Sequence, residues 1–411
     1  MPISLATALW LSAAGARPCA LAQPDDPLTI HLVSIAPGAD LLNSMGHTVV
    51  VFSGGELGFP HAYNWGVFDT SQPGVVASFL QGRLEYFLLA THGQQMLDHY
   101  AREDRTMIAQ RLALPPEQAD AMFWRIDAQA RSPELRTYAY HWADANCATK
   151  ARDAIDQAAG GAVRAALDHR VDTTPRFEAL RHFAPWPVLA FAWDFISSSR
   201  VDTPLTAWER TMVPEHLMLE LEHVTVGWPD GGREPLVAET CTLHRGQRSW
   251  AAAAPRPGWA SALPGIGGAA LLLAARLRGG PGAQRLVGAL VALYGSVLGL
   301  LGTTSFLLWA SSDLDGVGPT ENWLVAGPQS WLLAWSGVQI LRGRAIPTWA
   351  RAGCVALAAL GSSTLLLELT SLSGQTNGRV LGALLPGLVA CAAVVGHPPV
   401  MRPERRGAVT V

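Results

Sequence analysis

Two short stretches of this chain hold side chains suited to nucleophilic chemistry. In "HWADANCATKARD", residues 141–153, Cys147 follows Asn146 and opens a run in which Ala148, Ala151, Ile155 and Ala158 recur at helical spacing until Gly160-Gly161 stops it. Asn146 is a good helix N-cap, so Cys147 falls in the first turn. There the unpaired backbone N–H groups and the positive end of the helix dipole favour a thiolate over a thiol. The same N–H groups suit an oxyanion forming on an attacked carbonyl. In "SMGHTVVVF", residues 44–52, His47 stands at the start of a predicted strand behind Gly46, whose missing side chain lets a neighbour approach. An imidazole beside a thiol is the base that a cysteine nucleophile needs. A third polar group commonly orients such a histidine, and the next predicted strand offers His61, Asn64 and Asp69. The competing readings make Cys147 a small core residue, or one half of a disulfide with Cys241.

The elements that must position these groups are a mixture of strands and helices. "LTIHLVSIA" and "HTVVVFSGG" are β-branched and bounded by Pro or Gly-Gly, and "HAYNWGVFD" reads as a third strand. "PPEQADAMFWRIDAQAR" predicts an amphipathic helix with an apolar stripe at Ala121, Phe123 or Trp124, and Ala128. Residues 165–250 contain helical patches without a strong period. The five cysteines, Cys19, Cys147, Cys241, Cys354 and Cys391, form no CxxC and no Cys/His ligand spacing, so the sequence calls for no metal and no cofactor. A formal net charge of −3 leaves no excess of Lys and Arg to neutralise phosphates, which argues against nucleic acid as a partner.

Composition divides the chain. Hydrophobic residues make up 49% and charged residues only 15%, high and low respectively for a wholly soluble protein. Residues 1–22 read as a signal peptide, with an apolar core from Ile3 to Ala14 and Ala20-Leu21-Ala22 before Gln23, although no Lys or Arg precedes the core. After Pro255-Arg256-Pro257 come five long apolar stretches, about 257–275, 286–310, 323–341, 352–372 and 380–399. Each approaches the ~20 residues needed to cross a bilayer. Arg276, Arg278 and Arg285 follow the first, Arg342, Arg344 and Arg351 the third, and Arg402, Arg405 and Arg406 the fifth, whereas "SSDLDGVGPTEN" has no basic residue. By the positive-inside rule the basic loops are cytoplasmic, which places residue 256 and everything before it outside. Glu368 lies within the fourth stretch, where an ionisable group turns toward the bundle interior or a polar cavity. The expected domains are therefore a signal peptide at 1–22, an exported domain at 23–250, a transmembrane helical domain at 257–399 and a cytoplasmic tail at 400–411.

The segments "NSMGHTVVVF", "YNWGVFD", "FLQGRLEYFL", "YAREDRTMIAQRLALPPEQ", "YHWADANCATKARDAI" and "RVDTPLTAWERTMVPEHL" occur here in the order that they take in a bacterial family of exported proteins. That family is named for the N-terminal periplasmic domain of the Lnb-type lipoprotein N-acyltransferase. The resemblance covers about 30–240, and a multi-span C-terminal region also fits it. Gly-His, a polar strand and then Asn-Cys at a helix start resembles the permuted papain-like enzymes, which include lecithin:retinol acyltransferase.

The resemblance implies an α+β fold: a permuted papain-like Cys-His domain in the periplasm, followed by an all-α bundle of about five transmembrane helices in the bacterial inner membrane. It implies Cys147 as nucleophile, His47 as general base and Asn64 as third member, with His61 as the alternative for that place. Asn146 would shape the helix start, while Arg83, Glu85, Tyr86 and Arg105 match family positions. Lys150 stands where the family usually has Arg, keeping the charge but not a bidentate contact. The implied activity is acyl transfer from a phospholipid donor through a Cys147 thioester to the N-terminal amine of a lipoprotein acceptor. Two other readings compete with it: a membrane-anchored Cys-His hydrolase acting on lipids, amides or peptidoglycan, and a non-catalytic envelope scaffold.

Overall fold

The β-branched runs form the three predicted strands, β1 (Thr29–Ile35), β2 (His47–Ser53) and β3 (His61–Val67). In the computed structural model, which describes residues 21, 26–69, 71, 73–250, 258–370, 372 and 374–397, they are the centre of a larger antiparallel sheet. β4 (Glu85–His92), β5 (Met107–Leu112), β6 (Thr137–Ala139) and β9 (Val237–His244) complete it, in the order β6-β4-β3-β2-β1-β5-β9. Two short strands, β7 (Thr225–Gly227) and β8 (Arg233–Pro235), pair on their own. The expected leader apart from Leu21, the boundary at 251–257 and the expected tail at 400–411 lie outside the described residues.

Both faces of the sheet are covered. Ile30, Leu32, Val50, Phe52, Tyr63 and Trp65 pack with Met122, Phe123 and Ile126 of helix Pro116–Arg131 and with Ala148, Ala151 and Ile155 of helix Cys147–Ala158. On the opposite face Val33, Ile35, Val49, Val51 and Ala62 meet Met96, Leu97 and Tyr100 of helix Gly93–Arg102. This is why every residue of β2 is buried and its sequence runs apolar without alternation. Helix Pro116–Arg131 turns a different stripe inward from the expected one: Ala119, Met122, Phe123, Ile126 and Asp127 are buried, whereas Ala121, Trp124 and Ala128 are exposed. Asp127 fixes that rotation by accepting the Tyr63 hydroxyl at 2.9 Å. Residues 165–250 lack a clear period because their helices, Pro175–His182, Pro187–Ile196, Ala207–Arg210 and Pro214–Leu221, are too short to display one. Cys147 is free and Cys241 is disulfide-bonded, which overturns the Cys147–Cys241 pairing.

The chain divides into two compact units. One contains the described residues up to Ala190, together with the stretch from Val201 to the 251–257 boundary and Ser312–Gly316. The other contains Phe191–Arg200, the described residues from Gly258 to Ser311 and those from Val317 onward. In the second unit, three helices among the described residues are long and apolar enough to cross a membrane: Gly280–Ser311, Thr348–Thr370 and Gly378–Gly396. Of the five expected spans, the first becomes a 17-residue helix, Ala262–Arg278. The third is broken at Gly327-Pro328 into helix Asn322–Val325 and the 11-residue helix Trp331–Leu341.

The long helix Gly280–Ser311 packs through glycines seven residues apart. A Cβ on Gly288 would lie 2.5 Å from Leu341 N, on Gly295 2.3 Å from Ala334 N, and on Gly302 2.4 Å from Gly327. Without driving force from water inside a bilayer, such close backbone approach is what small residues supply. Glu368 lies beside the start of helix Gly378–Gly396: a Cβ on Gly378 would come 3.1 Å from its carboxylate oxygen. Asn322, fully buried, donates to the carbonyls of Asp194 and Phe195, tying the Phe191–Arg200 segment into this unit. Gly295→Val should lower stability by about 1–3 kcal/mol through overpacking, read as a fall in melting temperature of the detergent-purified protein.

Candidate active site

Gly46, at φ +87°, turns the chain into β2 with so little room that a Cβ would lie 2.8 Å from Ile35 O. His47 follows as a buried residue, with Nε2 2.9 Å from Asn64 Oδ1. The same oxygen accepts the Gly66 backbone N–H at 2.7 Å. A backbone N–H can only donate, so this atom is an acceptor and His47 Nε2 must carry the hydrogen. The lone pair then resides on Nδ1, the nitrogen free to act as a base. Sheet irregularity makes room for the pair: β2 and β3 are in register only from Val50 to Phe52, and β3 bulges against β4 between Asn64 and Val67. Gly66 is required there, because a Cβ would lie 2.3 Å from His47 Cε1. Tyr100 closes the ring's surroundings, with its centroid 5.9 Å from that of His47.

Cys147 is the first residue of its helix, and Asn146 builds that helix start. Asn146 Oδ1 accepts the N–H groups of Ala148 at 2.9 Å and Thr149 at 3.0 Å, and Thr149 Oγ1 accepts the Asn146 N–H at 2.9 Å, a complete capping box. Asn146 Nδ2 donates to Trp142 O at 2.7 Å and Met212 O at 3.0 Å, so the cap is anchored to two other segments. The half-buried Cys147 sulfur faces the backbone N–H groups of Thr48 and Ala148. Thr48 directly follows His47, which sets the thiol against the start of β2. Among the described residues, thiol and imidazole make no hydrogen bond to each other.

The thiolate expected from the helix start is not the resting form. Burial pushes the Cys147 thiol up to about 11, outweighing the backbone N–H groups and the Arg105 guanidinium, which act the other way. Burial, helped by Arg105 and opposed by Asn64, lowers His47 to about 4. At neutral pH the pair is therefore a thiol and a neutral imidazole, an arrangement for proton removal during attack rather than a standing ion pair.

Phenols surround the sulfur. Tyr86, Tyr100, Tyr138 and Tyr140 all feel Cys147 electrostatically, and burial raises the titration of each above the usual tyrosine value. Tyr86 and Tyr140 stack at 4.3 Å, and Phe68 lies 4.8 Å from Tyr86. Sequence reasoning missed Tyr100, Tyr138 and Tyr140. The alternation of the last two in "TYAYH" around β6 was a signal that both face one side.

The other sequence candidates sit elsewhere. His61 stacks on Phe59 at 4.6 Å, with His92 on the far side of that ring, and it is Asn64 that meets His47. Arg83, exposed, bonds Asp313 at 2.8 Å. Asp69 accepts the Ser71 N–H and hydroxyl within a turn. Lys150 Nζ lies 4.9 Å over the Tyr138 ring, so its charge rests on an aromatic face. Arg152 donates to Trp208 O at 3.0 Å and Thr211 Oγ1 at 3.2 Å, securing the helix flank. Among the described residues, no group of three or more His, Cys, Asp or Glu side chains is arranged to hold a metal ion.

Residues 22–179 match the model of a known domain, the Lnb N-terminal periplasmic domain. No curated protein and no solved structure matches the chain.

His31, His47 and His182 are all lowered by burial to about 4, against an ordinary 6.5. Below about 6.5 the unfolded chain binds protons that the folded chain refuses, so stability present at pH 7 should fall progressively toward pH 4, by up to ~1.4 kcal/mol per pH unit for each histidine. Melting temperatures measured between pH 7 and pH 4 should show that slope, and His47→Gln should reduce it.

Proposed function

We propose that this membrane protein, whose residues 22–179 match the Lnb N-terminal periplasmic domain, is a cysteine-dependent acyltransferase. The observation that carries the reading is the meeting of three residues distant in sequence. His47 is held by Asn64 with its base nitrogen free, and the Cys147 sulfur rests on the N–H of Thr48, the next residue. The order of histidine on a strand, asparagine on its neighbour and cysteine at a helix start supports a permuted papain-like mechanism.

In that mechanism Cys147 Sγ attacks the ester carbonyl of a phospholipid as His47 Nδ1 takes the thiol proton. The Cys147 backbone N–H, the one left at the helix start once Asn146 Oδ1 has taken those of Ala148 and Thr149, stabilises the oxyanion. Collapse of the tetrahedral adduct breaks the ester C–O bond, and His47 returns the proton to the departing lysophospholipid oxygen. The acyl chain is left as a Cys147 thioester. The amine of a lipoprotein's N-terminal cysteine then attacks the thioester carbonyl as His47 removes its proton, and collapse breaks the C–S bond, the leaving Cys147 sulfur taking that proton from His47 to restore the thiol. Asn64 keeps the ring oriented through both half-reactions. The neutral starting state favours this route, because a buried thiol avoids bearing a charge until a carbonyl arrives to share it. The phenyl and phenol groups near Cys147 supply an apolar wall for an acyl chain, and the apolar helices of the second unit suit both substrates to a bilayer at the inner membrane.

Cys147→Ser should abolish N-acylation of a reporter lipoprotein while the protein still accumulates, as read by mass spectrometry of the reporter's N-terminal peptide. Asn64→Ala should reduce the rate by roughly 10–100-fold, less than the roughly 10²–10⁴-fold that a positioned base contributes, because the base itself remains. Unchanged N-acylation in Cys147→Ser would refute the proposal. Release of free fatty acid without acceptor modification would assign a hydrolase instead.

A further inference from the structure

We infer that Arg105 is a positioning residue for the Cys147–His47 pair: its buried guanidinium, stacked on Tyr100, braces the imidazole and supplies the positive charge that a forming thiolate faces. This rests on the reading of Cys147 and His47 as the reacting pair, and adds to it a residue that touches neither substrate nor sulfur.

The geometry is unusual for an arginine. The Arg105 side chain is fully buried, immediately after Asp104, whose φ of 57° marks a sharp left-handed turn. Its Nε donates to Ala36 O at 2.7 Å and its Nη1 to Asn43 Oδ1 at 3.2 Å, so one side chain grips both ends of the loop that leads into Gly46 and His47. Its carbon Cζ lies 5.0 Å over the Tyr100 ring, and Tyr100 in turn lies against the His47 ring. Nη2 is buried without a hydrogen-bond partner. Burying a guanidinium with a donor unused costs stability that an apolar side chain would not lose. A loop clamp alone does not require that charge.

The charge does act on the pair. Arg105 opposes protonation of His47 and favours ionisation of Cys147, the two changes that prepare a base and a nucleophile for the same step. The groups facing His47 are Tyr100 from helix Gly93–Arg102, Asn64 from β3, and Arg105. Those facing Cys147 are Tyr86, Tyr100, Tyr138, Tyr140 and Arg105, so Arg105 is the cation of the set. Glu103 lies 3.2 Å from Nη1, is 39% exposed, and also meets His99 at 3.3 Å. It partly neutralises Arg105, which makes it a handle on the effect from outside the core.

The test uses the full-length protein in detergent. Alkylation of Cys147 by iodoacetamide is followed against pH by mass spectrometry of its own peptide, and His47 is titrated by NMR. Arg105→Met should move both midpoints to higher pH and slow alkylation at pH 8 by about 3–10-fold, a shift of roughly half to one pH unit. Arg105→Lys should restore most of the difference. Glu103→Gln, at a surface-accessible position that leaves the fold intact, should move both midpoints to lower pH and speed alkylation. That opposite sign is the decisive result, and it stands even where Arg105→Met fails to fold. Unaltered midpoints in Glu103→Gln, or Arg105→Lys behaving as Arg105→Met, would overturn the inference. Neither readout requires acyl transfer, so absence of a Cys147 thioester in the unsubstituted protein would count against the proposed function and not against this inference.

Discussion

One oxygen atom organises the candidate site. Asn64 Oδ1 accepts from both the Gly66 backbone and the His47 ring, and because the first donor is fixed, the tautomer of the second is fixed too. The local sheet follows from accommodating this contact. β3 bulges beyond Asn64, Gly66 replaces any side chain that would strike the imidazole, and the β2–β3 ladder stops short of His47. The Thr48 N–H close to that interruption is engaged by the Cys147 sulfur, at the helix end that Asn146 has capped. Irregular strand geometry thus converts backbone donors that a regular ladder would consume into groups that hold a reactive side chain.

Burial decides the chemistry that this geometry supports. A helix N-terminus favours a thiolate, yet two of the expected donors, the N–H groups of Ala148 and Thr149, are taken by Asn146, and removing the sulfur from water outweighs the rest. The same removal keeps His47 neutral and therefore competent as a base. In the proposed reaction such a thiol would ionise only as a proton acceptor and an electrophile engage it. For a cysteine in an oxidising compartment, that restraint also limits unwanted oxidation.

The helical unit uses the same economy of backbone groups. Glu368, an ionisable side chain within an apolar helix, sits against the polar start of the next helix at Gly378, and Asn322 serves the carbonyls that end the Pro187–Ile196 helix. In an apolar setting, unpaired backbone donors and acceptors are costly enough that buried polar side chains are retained to satisfy them. Glycines at 288, 295 and 302 let helices approach where larger side chains would hold them apart.

Local information was legible in the chain itself: three strands from β-branched runs, the Asn146 cap, Cys147 at the first turn, His47 behind a glycine, and an apolar C-terminal part. Each is written in neighbouring residues, where side-chain shape and hydrogen-bonding capacity act directly on the adjacent backbone. Residue types left His61, Asn64 and Asp69 open as partners of His47 and the family resemblance favoured Asn64; tertiary structure set Asn64 on the ring, rotated the Pro116–Arg131 helix onto another stripe and shortened two of the expected spans. It also reversed the expected ionisation of Cys147 and gathered Arg105, Tyr100, Tyr138 and Tyr140 around the pair. Those outcomes depend on which atoms a fold brings together and on how much water it leaves between them, quantities that no stretch of adjacent residues contains.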